Sequence, residues 1–348
     1  MRLHLGHHFY GAGNLGDDFM LAGFLAALRQ LAPGTRFTCA VPFERAPLAA
    51  RFPEIEWLPY SAEARRAAIA DCDAWVGLGG SPFQSAQSRW FIDHLIEDAA
   101  FCAAAGKPMD YLGVGVQTAA ELQAPGLAAL VGQARGIWTR DAAAAERLAA
   151  AAPATPVRAA ADLAHLWFRA NPPPPAAPGR ATLVANFDYG TWPGRDACLA
   201  AVAALPPGER CWLAQEARPL PGAEIALHAA LPAAERARWQ LVTPEIAGAP
   251  LATVQARWPS GEMLVTARFH AALAGAWSGS RILVLATNEK LRAVACDLAV
   301  PALAPDADRA TAERALADAV VPAKPLAAAA AAWSACAEFV RSAVAPGR

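Results

Sequence analysis

The stretch RLHLGHHFYGAGNLGDD, residues 2–18, places a short apolar run directly before a glycine-rich turn. From residue 17 to residue 32 the chain is rich in alanine and leucine and has the length of a helix. A strand that leads through a glycine turn into a helix is the opening unit of a doubly wound α/β domain. This stretch therefore predicts a strand over 2–10, a tight turn and a helix over 17–32.

The same alternation of short apolar runs and Ala/Leu-rich stretches continues along the chain, and it predicts parallel sheets with crossover helices. In the first half the predicted strands are 2–10, 36–42, 55–59, 73–78, 109–116 and 136–139, and the predicted helices are 17–32, 61–70, 88–105, 121–134 and 141–151. In the second half the predicted strands are 181–187, 210–215, 239–243, 262–267 and 281–286, and the predicted helices are 194–204, 247–257, 269–278, 289–298 and 309–320.

Four consecutive prolines at 172–175 interrupt the alternation, because they donate no backbone hydrogen bonds and favour an extended spacer. We expect a Rossmann-like domain over 1–170 on the acceptor side, a linker over 171–179 and a second Rossmann-like domain over 180–324 on the donor side. The segment 325–348 predicts a helix and tail, whose aromatic residues need a surface to cover. We expect this helix to return to the first domain.

Composition and charge exclude several classes of protein. The chain has 348 residues, of which 55% are hydrophobic and 18% charged, so it is a packed globular protein and not a disordered one. Its formal net charge of −1 provides no basic field, and we expect no nucleic-acid partner. The seven cysteines never form a C-x-x-C pair, which favours reduced thiols. The first residues do not resemble a signal peptide, and no long apolar run follows, so we expect a cytoplasmic protein with at most peripheral contact at the inner membrane face.

Polar and glycine-rich loops follow most of the predicted strands, at the strand ends where open α/β sheets bind ligands. Two such sheets facing each other would form one cleft. The loops cover 11–18, 79–84, 113–117, 139–141, 266–270 and 287–290. From the first-domain loops the predicted substrate-binding residues are Gly13, Asn14, Gly16, Gly79, Gly80, Ser81 and Gln84.

The loop 11–16 also matches G-x-G-x-x-G, which alone suggests a dinucleotide with Glu44 near its ribose. Asp17 and Asp18 would oppose a pyrophosphate, and Glu44 lies later than the expected acid. A second interpretation is a tight turn in which Asp17 caps the helix by accepting from free backbone N–H groups. One aspartate suffices as a cap, so capping and a functional role carry equal weight for this pair.

Arg268 and His270 form the strongest local pattern, because a guanidinium and an imidazole lie two residues apart at the end of a predicted strand. An arginine can hold phosphate or carboxylate bidentately, and a histidine exchanges a proton near neutral pH. Arg140 directly follows another apolar strand, so its side chain is expected in the same cleft region. Lys290 opens the helix after the next strand and could supply a point charge to a phosphate.

No metal site is expected. His7 and His8 precede the glycine loop, but strand geometry would point the two rings to opposite faces, and their spacing to the aspartates fits no common ligand pattern. The sequence also contains no Walker A loop, no G-x-S-x-G elbow and no H-E-x-x-H helix.

In their order along the chain, the loops at 10–18, 79–84, 113–116, 139–141 and 266–271 resemble the polysaccharide pyruvyl transferase family over roughly residues 7–301. The resemblance implies a GT-B-like α/β fold, in which two Rossmann-like doubly wound domains face each other across a cleft and a C-terminal helix returns to the first. It further implies transfer of a pyruvyl group from phosphoenolpyruvate to a sugar hydroxyl pair in cell-surface polysaccharide biosynthesis. The acceptor saccharide would be nucleotide- or lipid-linked, and no cofactor is implied besides the phosphoenolpyruvate donor.

Carried onto matching positions, the resemblance makes Arg140, Arg268 and His270 donor-site residues, with Lys290 a further candidate. Phosphoenolpyruvate is a small anion that arginines can hold by its phosphate and carboxylate. His270 would act as the acid or phosphate-side proton donor, and Asp17 or Asp18 would act as base or orient the sugar hydroxyl. We then expect His270→Ala to lower turnover by more than ~100-fold.

Other functions fit the same architecture. A GT-B glycosyltransferase would place the diphosphate of a nucleotide sugar against Arg268 and Lys290. A non-catalytic relative would bind a saccharide or nucleotide without turnover. An NAD-dependent enzyme ranks last, because Asp17 and Asp18 suit a pyrophosphate poorly and no second-domain feature requires nicotinamide. Fold alone does not separate these functions, and the sequence leaves the acceptor sugar and the oligomeric state open.

Overall fold

The computed structural model describes residues 1–7, 9–84, 89–116, 118–184, 201–202, 208–218 and 223–344. The first domain contains a seven-stranded sheet, whose strands are β1 (Arg2–Leu5), β2 (Arg36–Val41), β3 (Ile55–Pro59), β4 (Ala74–Leu78), β5 (Met109–Val114), β6 (Ala134–Thr139) and β7 (Val157–Ala159). Its helices are α1 (Leu15–Leu31), α2 (Arg45–Arg51), α3 (Ala62–Asp71), α4 (Trp90–Ala105), the 3₁₀ helix Ala119–Gln123, α5 (Leu127–Gln133), α6 (Ala142–Ala151) and α7 (Ala164–Ala170).

The second domain contains a six-stranded sheet, whose strands are β8 (Ala177–Val184), β9 (Glu209–Leu213), β10 (Gln240–Val242), β11 (Gly261–Thr266), β12 (Arg281–Leu285) and β13 (Ala302–Leu303). Its described helices are α8 (Glu224–Ala229), α9 (Ala233–Arg236), α10 (Leu251–Ala256), α11 (Phe269–Ser278), α12 (Glu289–Asp297) and α13 (Arg309–Ala317). A last helix, α14 (Leu326–Val344), follows.

Both sheets are parallel and share one strand order. The first runs β3-β2-β1-β4-β5-β6-β7, and the second runs β10-β9-β8-β11-β12-β13. Each order reverses once, between β1 and β4 in the first sheet and between β8 and β11 in the second. Loops that leave the two strands at such a reversal diverge to opposite faces and open a crevice at their carboxyl ends. The glycine loop follows β1, and the Arg268–His270 segment follows β11, so both predicted motifs lie at these crevices.

The expected return of the C-terminal helix is confirmed. Phe339 of α14 is fully buried, and its ring centroid lies 6.1 Å from that of Phe24 in α1 and 6.5 Å from that of Trp138 in β6. Burying an aromatic side chain of this size contributes on the order of 2–3 kcal/mol. The helix therefore belongs to the core of the first domain although the second domain precedes it in the chain.

The two domains also share apolar contacts. Phe19 of α1 is fully buried, with ring centroids of Phe168 in α7 at 4.9 Å and of Trp258 in the second domain at 5.7 Å. The indole N–H of Trp277, in α11, donates to Nδ1 of His165, in α7, at 3.2 Å. The hydrophobic core therefore continues across the domain interface.

Some element boundaries differ from those predicted. β1 ends at Leu5 and not at residue 10; the next residue, Gly6, packs so closely on Trp75 that a Cβ there would lie 1.8 Å from the indole. The predicted helix 121–134 is divided into a 3₁₀ turn and α5, because Gly126 between them has a φ of +86°.

Six short elements of the described chain were not predicted: α2, β7, α7, α8, α9 and β13. β8 begins at Ala177, inside the segment 171–179 that was expected to be a linker. The predicted strand end at 185–187 and most of the predicted helix 194–204 lie outside the described residues.

Within the described part of the chain, no helix is both long and apolar enough to cross a membrane. The described cysteines are free thiols; Cys296 is exposed and the other five are buried. Cys198 lies outside the described residues.

Candidate active site

The two crevices meet at the domain interface, where the loops after β1 and β9 pair with each other. Asn14 and Glu216 form an antiparallel bridge, and the Ala217 N–H donates to the Gly13 carbonyl at 2.9 Å. Gly13 has a φ of +97°, and a Cβ there would lie 3.4 Å from the Glu216 carboxylate. The glycine loop is therefore held by both domains, and Gly13 is needed for its backbone conformation.

Asn14 caps helix α1. Its Oδ1 accepts from the Gly16 N–H at 3.2 Å and from Gln215 Nε2 at 3.1 Å, while its Nδ2 donates to Asp17 Oδ2 at 3.0 Å. The interpretation of Asp17 as the helix cap is therefore wrong, because the helix begins at Leu15, two residues earlier than predicted. Asp17 lies in the first turn of the helix instead.

The structure separates the two aspartates that the sequence left equivalent. Asp18 is buried, and its Oδ1 accepts from the Gly11 N–H at 3.0 Å while its Oδ2 accepts from Arg51 Nη1 at 2.5 Å. Burial raises the pKa of Asp18, and the Arg51 guanidinium opposes that shift. Both carboxylate oxygens are engaged inside the protein, so the predicted catalytic role of Asp18 finds no support in its contacts.

Asp17 is half-buried and faces the second domain. The pKa of Asp17 is raised to about 8: burial raises it most, the carboxylates of Asp18 and Glu216 add to the shift, and the cations Lys290 and Arg268 oppose it. At neutral pH the carboxyl group is therefore mostly protonated and can donate a hydrogen bond. Of the two aspartates, Asp17 is the one that is partly exposed and interacts with the cations of the second domain.

His270 and Asp162 form a buried pair across the domain interface. His270 Nε2 lies 3.5 Å from Asp162 Oδ2, and the two residues are 7% and 1% exposed. Asp162 lies between β7 and α7, where its Oδ1 accepts from the Ala164 N–H at 2.9 Å. The other side of the imidazole packs on Gly16, where a Cβ would lie 2.0 Å from Nδ1. Gly16 thus makes room for His270.

Burial lowers the pKa of His270, and the Asp162 carboxylate opposes that shift. Burial alone would raise the pKa of Asp162, but the nearby His270 imidazole and the Ala164 N–H lower it on balance. Among the described residues, neither His270 Nε2 nor Asp162 Oδ2 has a hydrogen-bond partner. A neutral imidazole beside a carboxylate is the arrangement of a proton acceptor whose charged form is stabilised.

Arg140 directly follows β6, and its guanidinium lies near the His270–Asp162 pair. It is buried, its Nη1 donates to the Gly80 carbonyl at 3.3 Å and its Nη2 donates to Ser81 Oγ at 3.1 Å. The guanidinium packs on Gly115, where a Cβ would lie 2.4 Å from Cζ. Burial lowers the pKa of Arg140, while Asp162 opposes the shift. The loops after β4, β5 and β6 therefore converge on this guanidinium.

Arg268 is held by carboxylates of its own domain. Its Nε donates to Glu224 Oε1 at 2.7 Å and its Nη2 to Glu224 Oε2 at 3.3 Å, and Glu216 Oε2 lies 4.0 Å from Nη2. Glu224 is fully buried, whereas the Arg268 side chain is 16% exposed. An anion that binds the Arg268 guanidinium must therefore share it with the Glu224 carboxylate.

The Phe269 ring contacts two cations, Arg140 and Lys290. Its ring centroid lies 4.9 Å from Arg140 Cζ and 6.0 Å from Lys290 Nζ. Cations over aromatic rings at such distances gain roughly 0.5–2 kcal/mol, depending on their exposure. The structure thus assembles Arg140, Arg268, His270 and Lys290, which the sequence predicted separately.

The remaining predicted residues lie on the loop after β4. Gly79 and Gly80 have φ values of +66° and +72°, and the Gly115 N–H donates to the Gly80 carbonyl at 2.8 Å. A Cβ at Gly79 would lie 2.2 Å from the Met20 sulfur. These glycines therefore shape the loop that presents Ser81 to Arg140, and Gln84 is half-buried at its end.

A cavity of about 530 Å³ lies elsewhere, near the amino-terminal ends of β5 and β6 and beneath α14. Arg135, Trp138 and Glu338 are among its lining residues. None of the predicted site residues lines it, so it does not belong to the cleft.

Sequence reasoning missed four charged residues of the site. Glu216 follows β9 almost directly, so an inspection of that strand end would have found it. Asp162 follows the three-residue strand β7, which was not predicted. Glu224 and Arg51 lie in helices, and only the folded chain brings them to their partners.

No protein-family model matches the sequence, and no curated protein sequence matches it. Solved structures match over nearly the whole chain. UDP-GlcNAc 2-epimerase from Methanocaldococcus jannaschii superposes with a TM-score of 0.60 at 8% identity, covering 98% of this chain and 99% of that one. The chain has a GT-B fold.

Two further GT-B structures were solved with ligands. HepE from Anabaena in complex with UDP-glucose gives a TM-score of 0.58 at 11% identity, covering 98% of this chain and 94% of that one. UDP-GlcNAc 2-epimerase from Neisseria meningitidis bound to UDP-GlcNAc gives 0.58 at 11% identity, covering 99% of both chains. Identities this low establish the shared fold alone, which confirms the architecture expected from the sequence.

Proposed function

We propose that this chain is a sugar-processing enzyme whose reaction takes place in the cleft between its GT-B domains. The observation that carries the proposal is the buried His270–Asp162 pair. It is formed across the two domains, where both crevices meet, and the cations Arg140 and Lys290 lie around it. A buried imidazole and carboxylate beside cations suit proton transfer on an anionic substrate.

The residues of this chain have separable tasks in such a reaction. His270 accepts a proton from the attacking hydroxyl, and Asp162 stabilises the imidazolium that forms. Arg140 and Lys290 bind the negative charge that develops on the leaving group. Asp17, as a neutral carboxylic acid, donates a hydrogen bond to a substrate oxygen.

A nucleotide sugar is the first candidate donor. Related folds were solved with UDP, UDP-glucose and UDP-GlcNAc, which supports this class although it does not assign the substrate. A diphosphate carries less charge than the trianion phosphoenolpyruvate, and it can share Arg268 with Glu224 while Lys290 supplies a second cation. The reaction would then be transfer or rearrangement of the sugar.

Phosphoenolpyruvate is the second candidate donor, as in the pyruvyl transferase family that the sequence resembles. Its support is the convergence of Arg140, Arg268, Lys290 and His270. In that reaction His270 would protonate the methylene carbon, and sugar hydroxyls would attack C2 as phosphate leaves. A bound trianion would raise the pKa of His270 and so favour the protonated imidazole.

The two donors can be separated by thermal unfolding of the whole chain with UDP, UDP-glucose, UDP-GlcNAc or phosphoenolpyruvate. A ligand present at 100 times its Kd stabilises the folded state by roughly 2.7 kcal/mol. We expect one class to raise the Tm and Lys290→Ala to reduce that rise. Lys107→Ala is the matched control, because this lysine follows the end of α4, at the opposite end of the sheet. If no donor raises the Tm, or if both variants respond alike, the proposed site is wrong.

A stabilising donor then allows the chemistry to be tested. We expect His270→Ala to lower turnover by more than about 100-fold, and Asp162→Asn by about 10-fold or more, while circular dichroism stays unchanged. Phosphate release from phosphoenolpyruvate would identify the second candidate. Normal turnover in a folded His270→Ala variant would exclude His270 as the proton-transfer residue.

A further inference from the structure

Arg51, at the end of α2, uses all five of its guanidinium N–H groups. Nη1 donates to Asp18 Oδ2 at 2.5 Å and to Glu245 Oε2 at 3.1 Å. Nη2 donates to Glu245 Oε1 at 2.7 Å and to the Ile246 carbonyl at 2.6 Å, and Nε donates to the Ala249 carbonyl at 3.0 Å. A guanidinium with one acceptor for every N–H is geometrically fixed.

These partners belong to different domains. Asp18 lies in the first domain, like Arg51 itself, and the segment 245–249 lies in the second. The side chains of Arg51, Asp18 and Glu245 are 3%, 2% and 16% exposed. The two domains approach each other closely beside these side chains, since a Cβ on Gly248 would lie 3.4 Å from atoms of Pro47 and Ala50.

The same carboxylate also shapes the glycine loop. Asp18 Oδ1 accepts from the Gly11 N–H at 3.0 Å, while its Oδ2 is bound to Arg51. Gly11 has a φ of +70°, so this bond fixes a backbone turn that few residues adopt. The loop continues to Asn14 and Gly16, which contact Gln215 and His270. One ion pair thus links the domain contact with the loop.

We propose that Arg51 is a positioning residue that couples closure of the two domains to the conformation of the glycine loop. When the domains part, Arg51 loses four of its five acceptors and keeps only Asp18. The remaining ion pair becomes exposed to water, so it no longer fixes the Asp18 carboxylate and the Gly11 turn relaxes. The importance of this coupling for catalysis rests on the proposed function, whereas the coupling itself does not.

The experiment removes the second-domain partner and measures the unliganded protein. We expect Glu245→Ala to increase the radius of gyration in X-ray scattering. We expect hydrogen exchange of the amides at 11–16 to become about tenfold faster, since losing bonds worth about 1.4 kcal/mol changes an equilibrium tenfold. Exchange in β5 should not change, which separates this effect from general loss of stability.

Two further variants keep the test decisive. Glu245→Gln retains the side-chain shape and should show a smaller change of the same kind if Glu245→Ala folds poorly. Glu209→Ala is the matched control, because this exposed glutamate pairs with Arg180 within the second domain. Unchanged exchange at 11–16 in both Glu245 variants would overturn the coupling, whatever the scattering shows. No substrate is present, so failure of the proposed function leaves this result intact.

Discussion

Replacing Gly16 with alanine should disturb the His270–Asp162 pair directly. The added Cβ would lie 2.0 Å from Nδ1, 2.7 Å from Cγ and 2.8 Å from Cε1 of the His270 ring. Carbon contacts are comfortable at about 3.5–4.0 Å, so the ring must shift by about 1.5 Å. A ring so displaced loses its position against Asp162, on the other side of the domain interface.

The expected cost follows from two opposing effects. Overpacking in a closely packed region costs about 1–3 kcal/mol. Alanine in a helix gains at most about 1 kcal/mol over glycine, and less near the N-terminus. We therefore expect Gly16→Ala to lower the free energy of unfolding by about 1–2 kcal/mol and to reduce turnover through misplacement of His270.

Urea unfolding of the Gly16→Ala and Gly132→Ala variants measures this effect. Gly132 is the matched control, because it lies within α5 and a Cβ placed there would meet no atom of the described residues within 4 Å beyond its chain neighbours and its own helix backbone. Gly132→Ala should therefore be neutral or stabilise the protein slightly.

A double-mutant cycle with His270→Ala tests the cause. Removing the ring removes the clash, so the two substitutions should couple by about 1–3 kcal/mol. If Gly16→Ala and Gly132→Ala are equally stable, or if the cycle is additive, the described contact between Gly16 and His270 is wrong.

Three further predictions concern pH and buried charge. Asp17→Asn should stabilise the protein by about 1–2 kcal/mol near pH 8 and hardly at pH 4. The Asp17 carboxyl group has a pKa of about 8 in the folded protein, so the stability of the wild type falls as the pH rises from the pKa of this group in the unfolded chain to 8. Equal effects of the substitution on urea unfolding at both pH values would contradict this prediction. His4 and His7 have pKa values lowered by burial to about 3, so stability should fall steadily as pH drops from 6.5 towards 3, and a flat urea midpoint over that range would contradict it. Asp98→Ala should cost about 3–5 kcal/mol in urea unfolding, because it leaves the buried Arg65 guanidinium without its main buried partner, and a loss below 1 kcal/mol would contradict it.

The fold was predictable because local sequence patterns indicate where strands end and how long helices are. Runs of five or six buried residues, such as those of β4 and β5, stand out from their surroundings. β7 and β13, with three and two residues, carry too little pattern to be recognised alone. Their place is set by pairing with longer neighbours.

The site was predictable where its residues follow long strands directly, as Arg140 and Arg268 do. The partners of those residues were not predictable. Asp162 lies over 100 residues before His270, and Glu224 lies 44 residues before Arg268, so only tertiary packing joins them. The different environments of Asp17 and Asp18 likewise depend on Arg51, which lies 33 residues after Asp18 and donates to it.

The return of α14 makes the first domain discontinuous along the chain, since residues 1–170 and 326–344 share one core. The ribosome completes that core only after it has synthesised the whole second domain. Until then, the surface of α1 around Phe24 is exposed to solvent and to other chains. We therefore expect the first domain to reach its full stability only after the second domain has been synthesised.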